Sequence, residues 1–363
     1  MSQVLPIKII VLFLCLCLCS ASVPAATAGE STLPAQYQEH MNPDVAAKYQ
    51  YTEDGEYSNV LHLPTYEWSP AGVPLKAMVM GIHGLTLHGR RFRVLARTLA
   101  VNGVDFVSLD MRGFGRCYFD EKKQFSTTDD DKSKVNYEKS YDEIVQLAKL
   151  MKAKHPGVRL IAMGESLGCS FCVRLAAEHH DLVDVLILSA PAVRINRRMY
   201  TGHGTVMQAI RAVFVPRYEV DMHSFLVNLV STREEVVNEM LDDPLIVKHL
   251  SLGALLSTDR FVSQTARWGK GTRPNLPVLI VQGSRDGCVA AKHVTELMNN
   301  MSSDDQTLAW RGSYGHLQLE TSFMRVMVID AVVDFLRNHG HANESKLLEV
   351  QQQVVDLGGT MVN

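Results

Sequence analysis

The stretch LIAMGESLGCSFCVRL, Leu160 to Leu175, changes character halfway. Its first part is an apolar run of strand length. Its second part spaces apolar residues as a helix does. At the join stands Ser166, with Gly164 two places before it and Gly168 two places after. Gly164-Glu165-Ser166-Leu167-Gly168 therefore fits G-x-S-x-G with a strand before and a helix after, the context in which that pattern carries meaning. A sharp strand-to-helix turn holds the serine in a strained backbone state, and side chains at the flanking glycine positions would clash. The turn projects the hydroxyl at the C-terminal edge of a sheet. It also points the amide of Leu167 outward from the positive end of a helix.

Working outward, the same alternation recurs. LKAMVMGIHG (Leu75 to Gly84), VDFVSLDMRGFG (from Val104), LVDVLILSAP (from Leu182) and LPVLIVQGSRD (from Leu276) read as strands, and NVLHLPTYEW (from Asn59) reads as an opening strand or hairpin arm. Between them, RRFRVLARTLAVNG spaces Phe92, Leu95, Ala96 and Leu99 helically up to Gly103, and Tyr137 to His155 reads as a helix closed by Pro156. Helices are also expected over Ala290–Met301 and Ser322–Asn338, with a short strand TLAWR between them. Near-continuous apolar strands alternating with helices predict an α/β fold, a mostly parallel central sheet with helices on both faces. The rhythm breaks from Pro191 to Pro274, where VMQAIRAVFV places Val206, Ile210, Val213 and Phe214 on one helical face. This segment reads as an inserted helical cap.

The expected organisation is a signal peptide over 1–28, an N-terminal extension over 29–56, a core over 57–190 and 275–340, a cap over 191–274 and a C-terminal tail over 341–363 that is either a peripheral helix or frayed. The leader rests on the apolar run Ile7 to Cys19, with Lys8 near its start and Ala26 and Ala28 bracketing a small-residue cleavage signal. The run is short of the ~20 residues that span a bilayer. Export, secreted or periplasmic, is the expectation, with an uncleaved membrane anchor as the alternative. Cys15, Cys17 and Cys19 each follow a leucine rather than a small residue, which speaks against lipid attachment. Beyond them remain Cys117, Cys169, Cys172 and Cys288, an even number that permits disulfides without choosing a pairing. Cys169 and Cys172 read as packing residues on a helix.

The chain's 363 residues suffice for a sizeable core, and its 46% hydrophobic and 21% charged residues are those of a soluble globular protein. A formal net charge of -3 gives no general attraction to nucleic acid, and no nucleic-acid partner is expected. The histidines are scattered without metal-ligand spacing. No metal and no cofactor is expected.

A serine hydroxyl needs a base within reach and an acid to orient that base. Downstream, Asp286 follows a strand in VLIVQGSRDGCV, and His316 follows the next in LAWRGSYGHLQLE, with Gly315 before it for close approach. Alone, Asp286 would read as a helix cap and His316 as an ordinary loop residue. In the order serine, acid, histidine, each at a strand end on one edge, they read as a triad. Ser189 and Ser313 keep the ordinary reading. The second oxyanion donor is expected from the loop after MVMGI. There the amide of Leu85 is the natural donor, and His83 and Gly84 support the site together with Gly164 and Gly168.

Taken together these segments resemble the α/β-hydrolase superfamily, and within it the monoacylglycerol lipase and lysophospholipase group. His83-Gly84 with His88, Arg91 and Phe92 is similar to that group's oxyanion-loop signature, DMRGFGRC from Asp110 to its D-x-R-G-x-G turn, and LILSAP, DDPL (Asp242 to Leu245) and GSRDGCV follow in order. The similarity runs from about Tyr57 to His339. The chain departs from the group at Thr86 and Leu87, where glycine and glutamate are frequent, and at Glu165, where histidine is commoner. The resemblance implies an α/β-hydrolase fold, a cap covering an acyl-binding passage, and a serine hydrolase that cleaves carboxylic esters of single-acyl lipids through an acyl-enzyme. A lipid or small ester is then the expected partner. Met199, Met207, Met222 and Met240 offer flexible apolar surface, mostly for packing the cap onto the core. Arg194, Arg197 and Arg198 would draw the cap to an anionic membrane surface if they are more than a solvated face. An acyltransferase or small-ester carboxylesterase would use the same residues. A non-catalytic binding module would be expected to lose one of the three.

Overall fold

The computed structural model describes residues 40–126, 130–194, 196, 218–339 and 347–362. The expected leader, Met199, Met207, Arg197, Arg198 and the helical face over Val206–Phe214 lie outside the described residues.

Eight strands form the central sheet: β1 (Tyr49–Glu53), β2 (Thr65–Pro70), β3 (Ala77–Ile82), β4 (Val104–Leu109), β5 (Leu160–Glu165), β6 (Val185–Ser189), β9 (Val278–Gly283) and β10 (Gln306–Arg311). Their order is β1-β2-β4-β3-β5-β6-β9-β10. From β4 to β10 all neighbours are parallel, and β2 joins β4 and β1 joins β2 antiparallel. The chain is an α/β protein of mostly parallel sheet, as its apolar runs predict.

Strand alternation divides the core between two faces. Met78, Met80, Ile82, Leu160 and Ala162 point to one face, packed with Ile144, Leu147, Phe171 and Leu175 of the helices Tyr137–Lys154 and Leu167–Glu178. Ala77, Val79, Ile161 and Met163 point to the other, packed with Leu95, Leu99, Val332 and Leu336 of the helices Arg93–Val101 and Val326–Asn338. Both faces are thus dry, which is why these strands carry so few polar residues. β10 is the exception. As the edge strand it leaves Leu308 and Trp310 exposed.

Three readings are corrected. Asn59, Val60 and Leu61 belong to a helix, Glu56–Leu61, stopped by His62 in the left-handed region, and the strand begins only at Thr65. The sheet also starts earlier than expected, since β1 lies within the segment read as an extension. The helix expected from Ser322 begins at Val326, because Phe323–Arg325 forms β11. β11 pairs with β12 (Thr360–Val362), and the helix Leu347–Asp356 before β12 buries Val350 and Val354 in the core. The segment after Gly340, expected as a peripheral helix or a frayed tail, is a helix over residues 347–356.

Between β6 and β9 the described residues add no strand to the central sheet. They form the helices His223–Leu229, Glu234–Asp242, Leu252–Val262 and Thr265–Gly269 and a small antiparallel pair, β7 (Glu219–Asp221) with β8 (His249–Ser251). The last two helices rest on Leu167–Glu178, with the rings of Phe171 and Phe261 4.4 Å apart and Thr265 Oγ1 donating to Ser170 Oγ at 2.8 Å. Met222 and Met240 are buried and pack as expected for most of the cap methionines.

Candidate active site

Ser166 stands between β5 and the helix Leu167–Glu178 with φ 54° and ψ −115°. For a non-glycine residue this is a strained conformation. The surroundings enforce it: Ser166 N donates to Ser189 O at 2.9 Å, and its own carbonyl accepts from Cys169 N and Ala192 N, both at 3.1 Å. The glycines are required by space. A Cβ on Gly168 would lie 1.9 Å from Ile82 O, and one on Gly164 would lie 2.5 Å from the Gly168 carbonyl carbon. Helix and strand approach this closely only without side chains.

β9 delivers Asp286 and β10 delivers His316. His316 Nδ1 lies 2.8 Å from Asp286 Oδ2. The carboxylate also accepts from Gln282 Nε2 (3.1 Å) and from the amides of Cys288 (2.9 Å) and Val289 (3.0 Å). His316 is buried and anchored through its amide to Val230 O at 2.9 Å. Gly315 is needed here, because a Cβ would come within 3.0 Å of Ser231 Cα. Burial alone would lower the His316 pKa, but the charge and hydrogen bond of Asp286 outweigh it and raise the pKa. With Nδ1 turned to Asp286, Nε2 is the nitrogen left for chemistry.

Ser166 and His316 line one small cavity, together with Gly84 and Leu85 of the loop after β3. Its other walls include Leu87, Phe225, Val230, Met240 and Leu317, so the space beside the hydroxyl is apolar. The amides of Leu85 and Leu167 have no protein acceptor among the described residues. The loop carrying Leu85 is braced from behind. His83 accepts at Nε2 from Met111 N (3.0 Å), which assigns its proton to Nδ1, donating to Gly84 O (2.8 Å). Burial holds the His83 pKa down at about 4, so the ring stays neutral. Asp110 of the DMRGFGRC turn accepts from Gly89 N and Arg116 N, both at 2.8 Å.

Sequence reasoning missed a buried ionic network between this loop and the cap. Arg91 donates to Glu239 (3.0 Å) and Asp243 (3.4 Å), His88 Nε2 meets Asp243 (3.0 Å), and Arg93 reaches Glu239 (3.3 Å). The signal was present, since His88 and Arg91 lie in one quoted motif and Asp243 in another. Glu165 was read only as a departure. It is fully buried and accepts from Ser189 Oγ and from the amides of Gln318, Leu319 and Glu320. Cys117, Cys169, Cys172 and Cys288 are all buried free thiols. Asp286, Cys288 and His316 bring three metal-type donor atoms within 4.8 Å of one another. Burial and the charge of Asp286 push the Cys288 thiol up.

A family model described as "Serine aminopeptidase, S33" matches residues 73–320, which include every residue of this site. The chain belongs to this serine aminopeptidase S33 family. The chain is similar to the monoglyceride lipase of Homo sapiens, 26% identical over 260 residues (70% of this chain, 79% of the relative). It is similar also to a monoglyceride lipase homolog of Monkeypox virus, 24% identical over 276 residues (75% and 92%). Its fold is that of a soluble variant of monoglyceride lipase from Saccharomyces cerevisiae, with a TM-score of 0.63 at 17% identity over 85% of this chain and 99% of that one. This S33 member therefore has the α/β-hydrolase fold that its motifs imply, and it is similar to monoglyceride lipases.

Proposed function

We propose that the protein is a carboxylic ester hydrolase acting on single-acyl lipids, of the monoacylglycerol or lysophospholipid type. Relationship to monoglyceride lipases supports lipid ester hydrolysis in general terms. The observation that carries the mechanism is the Asp286–His316 hydrogen bond at the rim of the cavity that Ser166 also lines. In this reading Ser166 Oγ attacks the ester carbonyl carbon while its proton passes to His316 Nε2. The carbonyl oxygen becomes an oxyanion held by the amides of Leu85 and Leu167, each such donor being worth ~10²–10³ in rate. Collapse breaks the ester C–O bond, and the imidazolium returns its proton to the leaving alcohol. Water, deprotonated by His316, then cleaves the acyl-serine and regenerates the hydroxyl. Asp286 keeps the imidazole in the required tautomer and stabilises its cation.

The apolar walls favour an acyl chain. A peptide amine would need a carboxylate facing the cavity to bind it, and Glu165 spends its oxygens on four protein donors. Leu87 makes the wall apolar where relatives often carry glutamate, so recognition of glycerol must differ from theirs. Of the three arginines that would bring the cap to an anionic surface, Arg194 pairs with Glu296 at 3.3 Å, which leaves it less charge for a headgroup. Export is part of the proposal and rests on the apolar run and its small-residue signal. N-terminal sequencing of secreted protein tests it, and an intact Met1 in the medium would refute cleavage.

A fluorophosphonate probe should label the wild type and spare Ser166→Ala, and equal labelling of both would sink the assignment. An ester panel varying chain length and headgroup, with amino-acid anilides beside it, then tests the substrate. Preference for short soluble esters would make the protein a small-ester carboxylesterase, and anilide turnover would make it a peptidase. Acylated glycerol among the products would indicate a transferase.

A further inference from the structure

Two buried carboxyls lie behind the site without entering the chemistry above. Glu165 immediately precedes Ser166. Glu320 lies four residues beyond His316. Both side chains are fully buried. Glu165 Oε1 accepts from Ser189 Oγ (2.7 Å), Gln318 N (2.7 Å) and Leu319 N (3.1 Å), while Oε2 accepts from Leu319 N (3.1 Å) and Glu320 N (2.9 Å). The histidine loop is thereby fastened to the residue before the nucleophile. Glu320 continues the chain of contacts, since Gly84 N donates to its Oε2 (3.0 Å) and Oε1 (3.3 Å). Gly84 is the residue before the Leu85 amide.

We infer that Glu165 and Glu320 are positioning residues that act as a relay, setting the spacing of nucleophile, histidine and oxyanion amide through two buried carboxyls. The inference rests on the triad reading. Each link joins two of the three loops that must converge, and none of these links is made by the reacting groups themselves.

The protonation of the pair follows from its donors. Two carboxyls close together in a dry region do not both ionise. Burial raises the Glu165 pKa as well, but its hydrogen-bond donors and His316 oppose that rise, so of the two carboxyls Glu165 is the one that ionises first. Burial, followed by the charge of Glu165, pushes the Glu320 pKa well up, so Glu320 carries the proton. The other groups facing the pair do not compensate it. Arg91 is engaged with Glu239 and Asp243 and gives Glu320 only a bond to its backbone oxygen (3.1 Å). Cys169 is a neutral thiol raised by burial and by the nearby cysteine and glutamates. His316 feels the negative charge of Glu165, which adds to that of Asp286 in favouring its cation.

The two carboxyls should therefore respond oppositely to the same change. Glu320→Gln keeps a neutral acceptor for Gly84 N, so kcat should stay within about threefold of wild type, whereas Glu320→Leu orphans that amide and should lower kcat about tenfold at similar KM. Glu165→Gln turns an NH₂ toward backbone donors. It should lower kcat by more than Glu320→Gln and move the acid limb of the pH profile to lower pH. Stopped assays on a soluble ester, with fluorophosphonate labelling rates and melting curves on each variant, read these outcomes. The relay is refuted if Glu320→Gln falls as far as Glu320→Leu, or if Glu165→Gln leaves the acid limb where it was. Should Glu165→Gln fail to fold, the Gln–Leu comparison at Glu320 decides alone. Wild type left unlabelled would sink the triad reading itself, whereas labelled wild type with the wrong variant pattern would sink only the relay.

Discussion

His316 Nδ1 and Asp286 Oδ2 stand 2.8 Å apart, and the same carboxylate accepts three further hydrogen bonds, from Gln282, Cys288 and Val289. A carboxylate held this way does not swing away, so the imidazole has a fixed orientation before substrate arrives. Asp286→Asn keeps the shape but reverses the donor sense toward Nδ1. It should lower kcat by ~10³–10⁴. The acid limb should shift too. Activity requires neutral His316, and Asp286 holds its pKa above the ordinary histidine range, so the wild-type limb lies high. Removing that charge leaves burial in control and moves the limb to lower pH. A kcat/KM profile measured across pH 5–9 checks both effects (that range being where histidines titrate).

Gly168→Ala tests the elbow. Its methyl would meet Ile82 O, a backbone atom in the central sheet, and has nowhere to retreat. Soluble yield and melting temperature should fall sharply. A variant that folds and keeps full activity would contradict the close approach of helix and strand.

Thr86 has φ 69°, a left-handed conformation that β-branched residues resist, and its Oγ1 is buried without a partner. Thr86→Gly relieves both and should raise stability by about 1 kcal/mol, net of the added freedom of the unfolded chain. Urea midpoints for the two proteins decide it, and a lower midpoint for the glycine variant would show that the loop depends on the threonine.

Asp105 is buried near Glu67, with Ser69 donating to Oδ1 and Lys154 and His155 close by. Burial, then Glu67, pushes its pKa up to about 7. A carboxyl raised on folding favours the folded state while protonated, and that contribution fades as pH climbs from the unfolded value, about 4, through the folded one. Asp105→Asn should therefore be more stable than wild type at pH 8, by roughly 1–3 kcal/mol, and nearly equal to it at pH 4. Melting curves at the two pH values test the sign.

Arg91→Leu leaves Glu239 and Asp243 buried and stripped of the cation that they share. Breaking such a buried group from one side costs about 3–5 kcal/mol. The helix Glu234–Asp242 should become the first site of limited proteolysis, ahead of the central sheet.

Much of this was legible before any coordinates. The runs around Met80, Ala162, Leu186 and Ile280 announce a sheet dry on both faces, because only that setting lets strands go without polar residues. The reading of Ser166, Asp286 and His316 as one set rests on their strand ends and neighbouring glycines. The misread helix Glu56–Leu61 shows the limit. Leu61 and Leu63 alternate as a strand would, and the competing helical pair, Tyr57 with Leu61, is too short to outweigh them. β7, β8, β11 and β12 have three residues each, below the length at which periodicity exists. Glu165 and Glu320 lie 155 positions apart, so nothing local marks either as the partner of the same loop.

The pairing of β12 with β11 has a practical side. Thr360 N donates to Ser322 O at 2.7 Å, two residues past Glu320, so the segment Thr360–Val362 is stitched beside the segment that carries His316. Ribosomal synthesis must pass Val362 before that seam closes. A nascent chain that already holds Ser166, Asp286 and His316 still lacks this fastening, and a bulky insertion beside Val362 would pull on the segment that carries His316.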